Sequence, residues 1–284
     1  MSSQSSLRDA VRSLAAGAAI EVIPLKDADD KIRVVSPDTT ITITCSPKFG
    51  LQRTLNHSAQ AVRAGYRVVP HLAARQVSGQ AELRDFVSRL VDLGITDLFV
   101  VGGDASEPAG SYSEAAQLLE ALAGMDHGLT SIGVTCYPEG HPKVDDESLL
   151  AALCQKQPLA HYMVSQLCFD ADALSRWLHG VRAEGIDLPL HIGLAAPMNV
   201  RKLAQLSLRI GVGASARYLS KQHGMGGAML RGTAYRPQEL LLAMGDTLTD
   251  PQMRVEALHM FSFNQVDATV AWQQDVSGAT AARA

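Results

Sequence analysis

Three short segments of this chain end an apolar run on side chains that can do chemistry: VVGGD, CYPEGHP and SQLCFD. They supply a carboxylate at Asp104, a phenol and an imidazole at Tyr137 and His141, and an amide at Gln166. The apolar runs predict buried strands, and in a barrel of parallel strands the carboxyl ends surround one mouth where catalysis takes place. We therefore predict an enzyme whose site is assembled from several strand ends.

Glu21 is the first candidate for an acid. It lies between Ile20 and Val22 in an apolar run, so a parallel strand at this position would direct its carboxyl group into the barrel, away from bulk water. A poorly hydrated carboxyl group is suited to general-acid catalysis. The ordinary alternative is a structural ion pair with a buried arginine or lysine.

Asp104 and Gln166 are the candidates for ligand recognition. Asp104 follows Gly102 and Gly103, and residues without side chains let a flat ligand approach the backbone while the acid meets its polar edge. A turn or a helix N-cap explains this aspartate equally well. Gln166 both donates and accepts hydrogen bonds, as recognition of an amide-bearing heterocycle requires, whereas Asp170 is predicted to cap the next helix.

Further candidates come from other strand ends and from one helix. Thr44 and His71 lie in predicted strands, and the two prolines of YPEGHP fix a loop that presents Tyr137 and His141. A rigid structural turn would explain the prolines as well. Lys156 could contact a phosphate or carboxylate, although a lysine near a helix C-terminus is ordinarily solvated.

Eight apolar runs rich in Val, Ile and Thr alternate with amphipathic segments and define the predicted fold. The predicted strands are Ala19–Leu25, Thr39–Cys45, Arg67–Ala73, Asp97–Gly103, Ser131–Tyr137, Tyr162–Phe169, Leu190–Ala196 and Ala257–Phe263. Eight β/α alternations in about 250 residues predict an α/β protein, a single-domain (β/α)8 TIM barrel. A doubly wound open sheet is the alternative, but its phosphate-binding glycine turn is missing after the first strand.

The same pattern gives the predicted domain boundaries. Residues 1–18 form an N-terminal segment with a first helix, residues 19–275 form the barrel, and residues 276–284 form a flexible tail. A glycine-containing stretch over residues 215–237 interrupts the repeat between the seventh and eighth strands. We expect a longer loop there, near the barrel mouth.

Composition excludes several classes of partner. The 25 Lys and Arg residues are outnumbered by 29 Asp and Glu, and no basic stripe is present, which argues against a nucleic-acid partner. No stretch is apolar enough to span a membrane, and the N-terminus lacks the core of a signal peptide. We expect a soluble cytoplasmic protein that binds small molecules.

The positions of the histidines and lysines in the sequence disfavour two catalytic strategies. His71, Asp104, His141 and His191 come from separate elements without the paired histidine spacing typical of metal-dependent barrel hydrolases, so we predict no metal site. A Schiff-base aldolase would need a lysine inside a strand, and none of the predicted strands carries one.

At these residues the chain resembles the methylenetetrahydrofolate reductase family, the flavin-dependent barrel enzymes of one-carbon metabolism. The resemblance extends from Ile20 to Asn264 and follows the order of the family's motifs. The matching segments are AIEVIP, TITITC, Pro70-His71-Leu72, Gly103-Asp104, YPEGHP and SQLCFD. YPEGHP and SQLCFD are the more specific of these.

The resemblance implies a role for each matching residue. Glu21 would be the acid that opens the imidazolidine ring of 5,10-methylenetetrahydrofolate to a hydride-accepting iminium, and Asp104 would act beside it. The implied substrate-binding residues are Gln166, Asp104, Thr44 and Val200. The implied cofactor-binding residues are Thr44, His71, Gly102, Gly103, Asp104, Tyr112, Tyr137, His141 and Lys156. FAD would carry hydride between NADH or NADPH and the folate, whose product is 5-methyltetrahydrofolate.

The chain departs from the family at three places. Gly102 replaces an arginine that usually precedes the GD pair, Val200 replaces a phenylalanine after the seventh strand, and the segment from Lys156 to Gln166 is one residue shorter. Losing the arginine removes a cation that would favour the anionic part of FAD.

Several alternatives therefore stay open at the level of sequence. The first is a flavin-independent reductase with direct hydride transfer, and the second is a folate-binding barrel without reductase activity. The resemblance also leaves open whether the reaction supplies methionine biosynthesis or catabolises methyl groups, which nicotinamide is preferred, and whether the chain forms a homo-oligomer.

Overall fold

The computed structural model describes residues 3–209 and 234–278 as a closed barrel of eight parallel strands with helices around it. Strands β1–β8 span Ala19–Val22, Ile41–Ile43, Val68–Ala73, Asp97–Val101, Ser131–Cys136, Tyr162–Ser165, Leu190–Ala195 and Val255–Phe261. Helices α1–α11 of the described residues span Ser3–Ala16, Ala28–Lys31, Gly50–Arg63, Gln80–Asp92, Ala115–Ala123, Asp146–Lys156, Ala171–Ala183, Val200–Arg209, Pro237–Ala243, Asp246–Thr249 and Val266–Ser277.

The predicted (β/α)8 barrel is confirmed. Each of the eight predicted strands is present, and each pairs in parallel with its neighbours in sequence, while β8 closes the ring against β1. Most strands end earlier than predicted, because the apolar residues after them continue into buried loops. Leu167 and Phe169, for example, follow β6 yet are almost fully buried in a second hydrophobic cluster.

The helices begin and end where local chemistry dictates. Asp170 caps α7, as predicted, since its carboxylate accepts a hydrogen bond from the backbone N–H of Ala173 at 3.0 Å. Leu174, Leu178 and Val181 recur at three- and four-residue intervals on the buried face of this helix. This face packs the helix onto the outside of the barrel.

The strands bury two faces of different character. Outward residues such as Ile20 and Leu72 belong to the large apolar core between strands and helices. Inward residues are more polar: Glu21 lies beside Thr42 of β2 on one side and Phe261 of β8 on the other. This alternation along each strand directs Glu21 into the barrel, as predicted.

The remaining segments frame the barrel. Helix α1 packs against α11 and α10, so the first helix lies on the side of the barrel next to the last one. Most of the stretch over residues 215–237 lies outside the described residues, as does the end of the chain from residue 279. Within the described ranges no helix has the length and apolar character needed to cross a membrane.

Candidate active site

The carboxyl ends of the strands surround a cavity of about 200 Å³, called here the mouth cavity. Glu21, Asp104 and Gln166 all line it, although they are far apart in sequence. Its other lining residues include Thr44, Cys45, His71, Gly102, Gly103, Tyr137 and Phe261. The expected convergence of the three candidate residues is therefore confirmed, whereas their chemical roles stay predictions.

The carboxyl group of Glu21 is buried and contacts two histidines. Its Oε2 lies 3.0 Å from His259 Nε2, a hydrogen-bond distance, and 3.9 Å from His71 Nε2. No arginine or lysine among the described residues forms an ion pair with it, so the structural ion pair considered above is not what the barrel provides. Burial and the neighbouring His259 hold the pKa of His71 well below its ordinary value, which keeps that imidazole neutral.

The loop after β8 fixes the backbone on which Glu21 stands. The side-chain amide of Asn264 accepts from the N–H of Ile23 at 2.8 Å and donates to its carbonyl at 2.9 Å, and the Ser262 hydroxyl donates to the carbonyl of Glu21. Phe263 and Asn264 both have left-handed backbone conformations, with φ of 47° and 58°. Non-glycine residues in this conformation are rare and mark a constrained turn.

Asp104 stands on a turn that needs glycine. Gly103 has a φ of 96°, and a Cβ there would lie 2.8 Å from the Cβ of Ala73. Arg75 holds the following loop, because its guanidinium donates to the carbonyls of Ala105, Ser106 and Ser113. The carboxylate is thus presented by a turn tied to the end of β3.

Gln166 is held by the neighbouring strand end and loop. Its N–H donates to the Cys136 carbonyl at 2.8 Å, and its side-chain oxygen accepts from the N–H of Leu167 at 2.9 Å. The carboxylate of Glu139 accepts from the N–H groups of Phe169 and Asp170 at 2.6 and 2.9 Å, which ties the loop after β5 to the loop after β6. The YPEGHP and SQLCFD segments therefore form one bonded unit.

Four of the predicted site residues lie beside or behind the mouth cavity. Tyr112 is buried in the main apolar core, and Val200 packs at the start of α8 in the second hydrophobic cluster. His141 contacts the Tyr137 ring edge to face at 5.2 Å, and Lys156 lies on the outer side of β5. Their assignment to substrate or cofactor stays a prediction.

Lys156 is not the solvated helix-end lysine that its position in the sequence suggests. Only 6% of the residue is exposed, and its Nζ donates to the Thr135 carbonyl at 2.8 Å. Desolvation lowers the pKa of this amine below its ordinary value. The carbonyl at the end of β5 accounts for the burial, since it gives the amine a partner inside the protein.

A groove of about 490 Å³ adjoins the mouth cavity and bears on the fit of FAD. Thr135 and Tyr137 line both spaces, so the groove between α6 and α7 lies next to the mouth cavity. The ring end fits well, because glycine backbone, Tyr137 and polar side chains surround it. The groove suits an adenine and ribose better than a diphosphate, since Glu139, Asp146 and Glu184 line it with Lys156.

The barrel interior also brings together three side chains of types that can ligate a metal. Ligand atoms of Glu21, His71 and His259 all lie within 4.8 Å of one another, and the three residues are buried. The spacing argument made from the sequence does not apply to this set, because barrel closure joins β1, β3 and β8. No ion is needed to explain the Glu21–His259 contact, so the absence of a metal site stays a prediction.

Sequence reasoning missed His259, Arg75 and Glu139. His259 was inside the predicted eighth strand, and alternation along that strand puts it on the same face as Phe261, which lines the mouth. The shared face of His259 and Phe261 could therefore have indicated from the sequence that His259 points into the barrel. Arg75 and Glu139 act through backbone groups of distant loops, for which the sequence contains no comparable sign.

A family model described as methylenetetrahydrofolate reductase matches residues 24–215, well over half of the chain. Methylenetetrahydrofolate reductase 1 of Schizosaccharomyces pombe is 27% identical over 116 residues, which cover 38% of this chain and 19% of the relative. A 5,10-methylenetetrahydrofolate reductase of Pectobacterium carotovorum is 26% identical over 153 residues, covering 53% of this chain and 50% of the relative. The chain thus spans at most half the length of these two relatives.

A solved structure of tryptophan synthase from M. tuberculosis has the same overall fold. It aligns with a TM-score of 0.50 and 14% identity, covering 99% of this chain and 100% of that chain. At this level of identity the likeness supports the barrel architecture alone.

Proposed function

The chain belongs to the methylenetetrahydrofolate reductase family, and from this premise we propose that it interconverts 5,10-methylenetetrahydrofolate and 5-methyltetrahydrofolate by hydride transfer. The observation that carries the proposal is the convergence of Glu21, Asp104 and Gln166 on one small cavity at the carboxyl end of the barrel. Glu21 of β1 meets there with Asp104 and Gln166, which follow the ends of β4 and β6. They supply an acid, a second carboxylate and an amide to a ligand of bicyclic size.

Glu21 is the proposed general acid. In the reductive direction the bond between the methylene carbon and folate N10 breaks, and N10 takes both the electron pair and the proton of Glu21. The iminium left at N5 then accepts hydride. The bond to His259 at 3.0 Å and the tie from Asn264 to Ile23 hold the carboxyl group in one geometry for this transfer.

Asp104 and Gln166 are the proposed pterin contacts. A pterin presents amide and amine groups on one edge, which a carboxylate and a carboxamide can bind through complementary donors and acceptors. Gly103 keeps the backbone close to Ala73, which leaves a flat surface beneath the ring. Thr44 lines the same cavity and would contact the substrate or the cofactor.

FAD is the proposed cofactor, with its ring held by Thr44, His71, Gly102, Gly103, Asp104 and Tyr137. When bound, it would supply hydride transfer between NADH or NADPH and the folate. The adjoining groove with Lys156 is the proposed place for its tail, and Tyr112 and His141 would support the site from outside the mouth. The proposed location is the cytoplasm. The reaction is proposed either to supply methionine biosynthesis or to catabolise methyl groups.

A flavin-independent reductase is the second candidate. The mouth cavity of about 200 Å³ has room for one ring system, and three carboxylates line the groove where a diphosphate would lie. An absorption spectrum of the purified chain separates the candidates. Flavin bands near one equivalent after addition of FAD support the first, and folate turnover without such bands supports the second.

Replacing Glu21 with Gln tests the catalytic assignment. We expect kcat for 5-methyltetrahydrofolate formation to fall by about 10²–10⁴-fold, because the amide cannot donate the proton that the ring opening requires. Folate affinity, measured by calorimetry, should change little. Glu120→Gln, on the exposed face of α5, is the matched control. Equal turnover in both variants would refute the assignment, and unchanged affinity without turnover in the wild type would favour a folate-binding barrel.

A further inference from the structure

A second cavity, of about 370 Å³, lies at the opposite end of the barrel and is called here the lower cavity. It is formed by the first residues of the strands, including Thr42, Asp97, Ser131, Tyr162, His191 and Ala257. Its lining extends from the exposed side chains of Arg67 and Glu256 to the buried His259. The lower cavity therefore reaches from the protein surface into the barrel interior.

The two cavities meet back to back inside the barrel. Phe99 and Val164 line both of them. Glu21 lines the mouth cavity, His259 lines the lower cavity, and the two side chains are 3.0 Å apart. A single hydrogen bond thus connects the acid at the mouth with a space open to the other end of the molecule.

Polar atoms in this region lack protein partners. The hydroxyl of Thr42, which lines the lower cavity, is buried and makes no hydrogen bond to any described residue, and the same holds for Nε2 of His71 on the mouth side of Glu21. Buried polar atoms of this kind are usually satisfied by ordered water, and a cavity with several polar partners is roomy enough to hold it. The lower cavity has these properties.

We propose that the lower cavity is a water-filled proton path that recharges Glu21 through His259 from the end of the barrel opposite to the substrate. The proposal rests on the proposed function and deepens it. After Glu21 has given its proton to folate N10, its carboxylate takes the proton on His259 Nε2. His259 takes a replacement from water on its other ring nitrogen, and bulk solvent supplies one proton per reductive turnover.

The proposed position of the substrate explains why Glu21 would need a second route for its proton. A pterin bound in the mouth cavity of about 200 Å³ would lie between Glu21 and the solvent at the mouth and would hinder return of a proton from that side while product is bound. A path through the far end lets protonation proceed independently of product release. In the oxidative direction the same path carries the proton out.

The other ionisable groups around the lower cavity leave His259 as the relay. Asp97 is paired with Arg67 at 2.9 Å, and Glu256 lies exposed at the rim. His191 stacks on the Tyr162 ring at 4.3 Å, and burial lowers its pKa to about 4, so it is neutral at physiological pH. His161 accepts a hydrogen bond from the N–H of Ile132.

His259→Ala tests the path by chemical rescue in the full chain. We expect kcat to fall about 10²-fold with the affinity for 5-methyltetrahydrofolate unchanged, and added imidazole to restore turnover by filling the vacated space. His259→Gln keeps a hydrogen-bond donor beside Glu21 but cannot relay a proton, so it should be as slow as His259→Ala. His179→Ala, on the exposed face of α7, controls for effects of imidazole itself.

A plug in the lower cavity locates the route. Ala257→Phe, added to His259→Ala, should abolish rescue by imidazole, and Thr40→Phe at the rim serves as a second plug if the first does not fold. Rescue that persists behind both plugs, or full turnover by His259→Gln, would overturn the proposal while leaving the proposed function intact. Wild-type chain without folate turnover in either direction would overturn both.

Discussion

The two ends of the barrel interior are both polar, yet they differ in how firmly their parts are held. At the carboxyl end, Asn264, Arg75 and Glu139 bind backbone groups of neighbouring segments, and these strand ends and loops surround a space of about 200 Å³. At the amino end, a wider space of about 370 Å³ opens between stacked rings and the ion pair of the exposed Arg67 with the buried Asp97. Polarity therefore does not distinguish the two ends, whereas the restraint of the loops does, and it favours the carboxyl end as the proposed catalytic end.

The difference also shows in how the interior is filled. Barrels of this kind usually fill their centre with bulky aliphatic side chains. Here Gly133 leaves room for the Tyr162 ring at the amino end, and Gly193 lies against the backbone of β6 and the Phe261 ring at the carboxyl end. A side chain can move into a cavity, whereas a backbone carbonyl in a paired strand cannot.

The largest expected effect separates these two glycines. In Gly193→Ala the new Cβ would lie 2.1 Å from the Ser165 carbonyl oxygen, and we expect a loss of about 3 kcal/mol in the free energy of unfolding. Gly133→Ala meets the Tyr162 ring at 2.3 Å, but the ring can move into the lower cavity, so about 1 kcal/mol is expected. Urea unfolding followed by circular dichroism measures both. A larger loss at Gly133 would reverse the comparison.

The second prediction concerns acid stability at the amino end. The pKa of His191 is about 4 in the folded protein against 6.5 ordinarily, because burial disfavours its charged form. The unfolded chain then binds the extra proton, so stability falls as the pH drops below 6.5. We expect a loss of about 2 kcal/mol between pH 6.5 and pH 5.

His191→Phe keeps an aromatic ring against Tyr162 and removes the titration. Its free energy of unfolding should fall by about 2 kcal/mol less than that of the wild type over the same pH range. Unfolding curves at several pH values check the difference. Parallel losses in the two proteins would show that other groups, such as His71, carry the acid sensitivity.

The smallest predicted effect compares two arginines. Arg75→Ala removes three hydrogen bonds to the loop after β4, and we expect a loss of about 1.5 kcal/mol in stability together with weaker folate binding. Arg67→Ala removes an exposed partner of Asp97 and should cost less than about 1 kcal/mol, with folate binding unchanged. Thermal unfolding and calorimetry measure the two properties. Weakened folate binding in Arg67→Ala would contradict the conclusion that only the carboxyl end of the barrel holds the folate site.

Much of this architecture follows from local patterns in the chain. The alternation of Val- and Ile-rich runs with amphipathic segments predicts all eight strands, and the Asp170 cap follows from an aspartate at the start of an amphipathic helix. The expectation that a helix-end lysine is solvated was wrong for Lys156, because its amine binds a carbonyl of β5, which no local pattern reveals. His259 lay in a predicted strand, but its partner is 238 residues away in sequence.

The sequence by itself determined the barrel, the inward direction of Glu21 and the set of polar residues at the strand ends, because periodicity and capping act over a few neighbouring residues. Only the tertiary structure decided that β8 brings His259 against Glu21, that Arg75 and Glu139 tie the loops, and that a second cavity meets the mouth. These features depend on closure of the ring and on packing between distant segments, and the contact energies that select them are invisible to any local pattern.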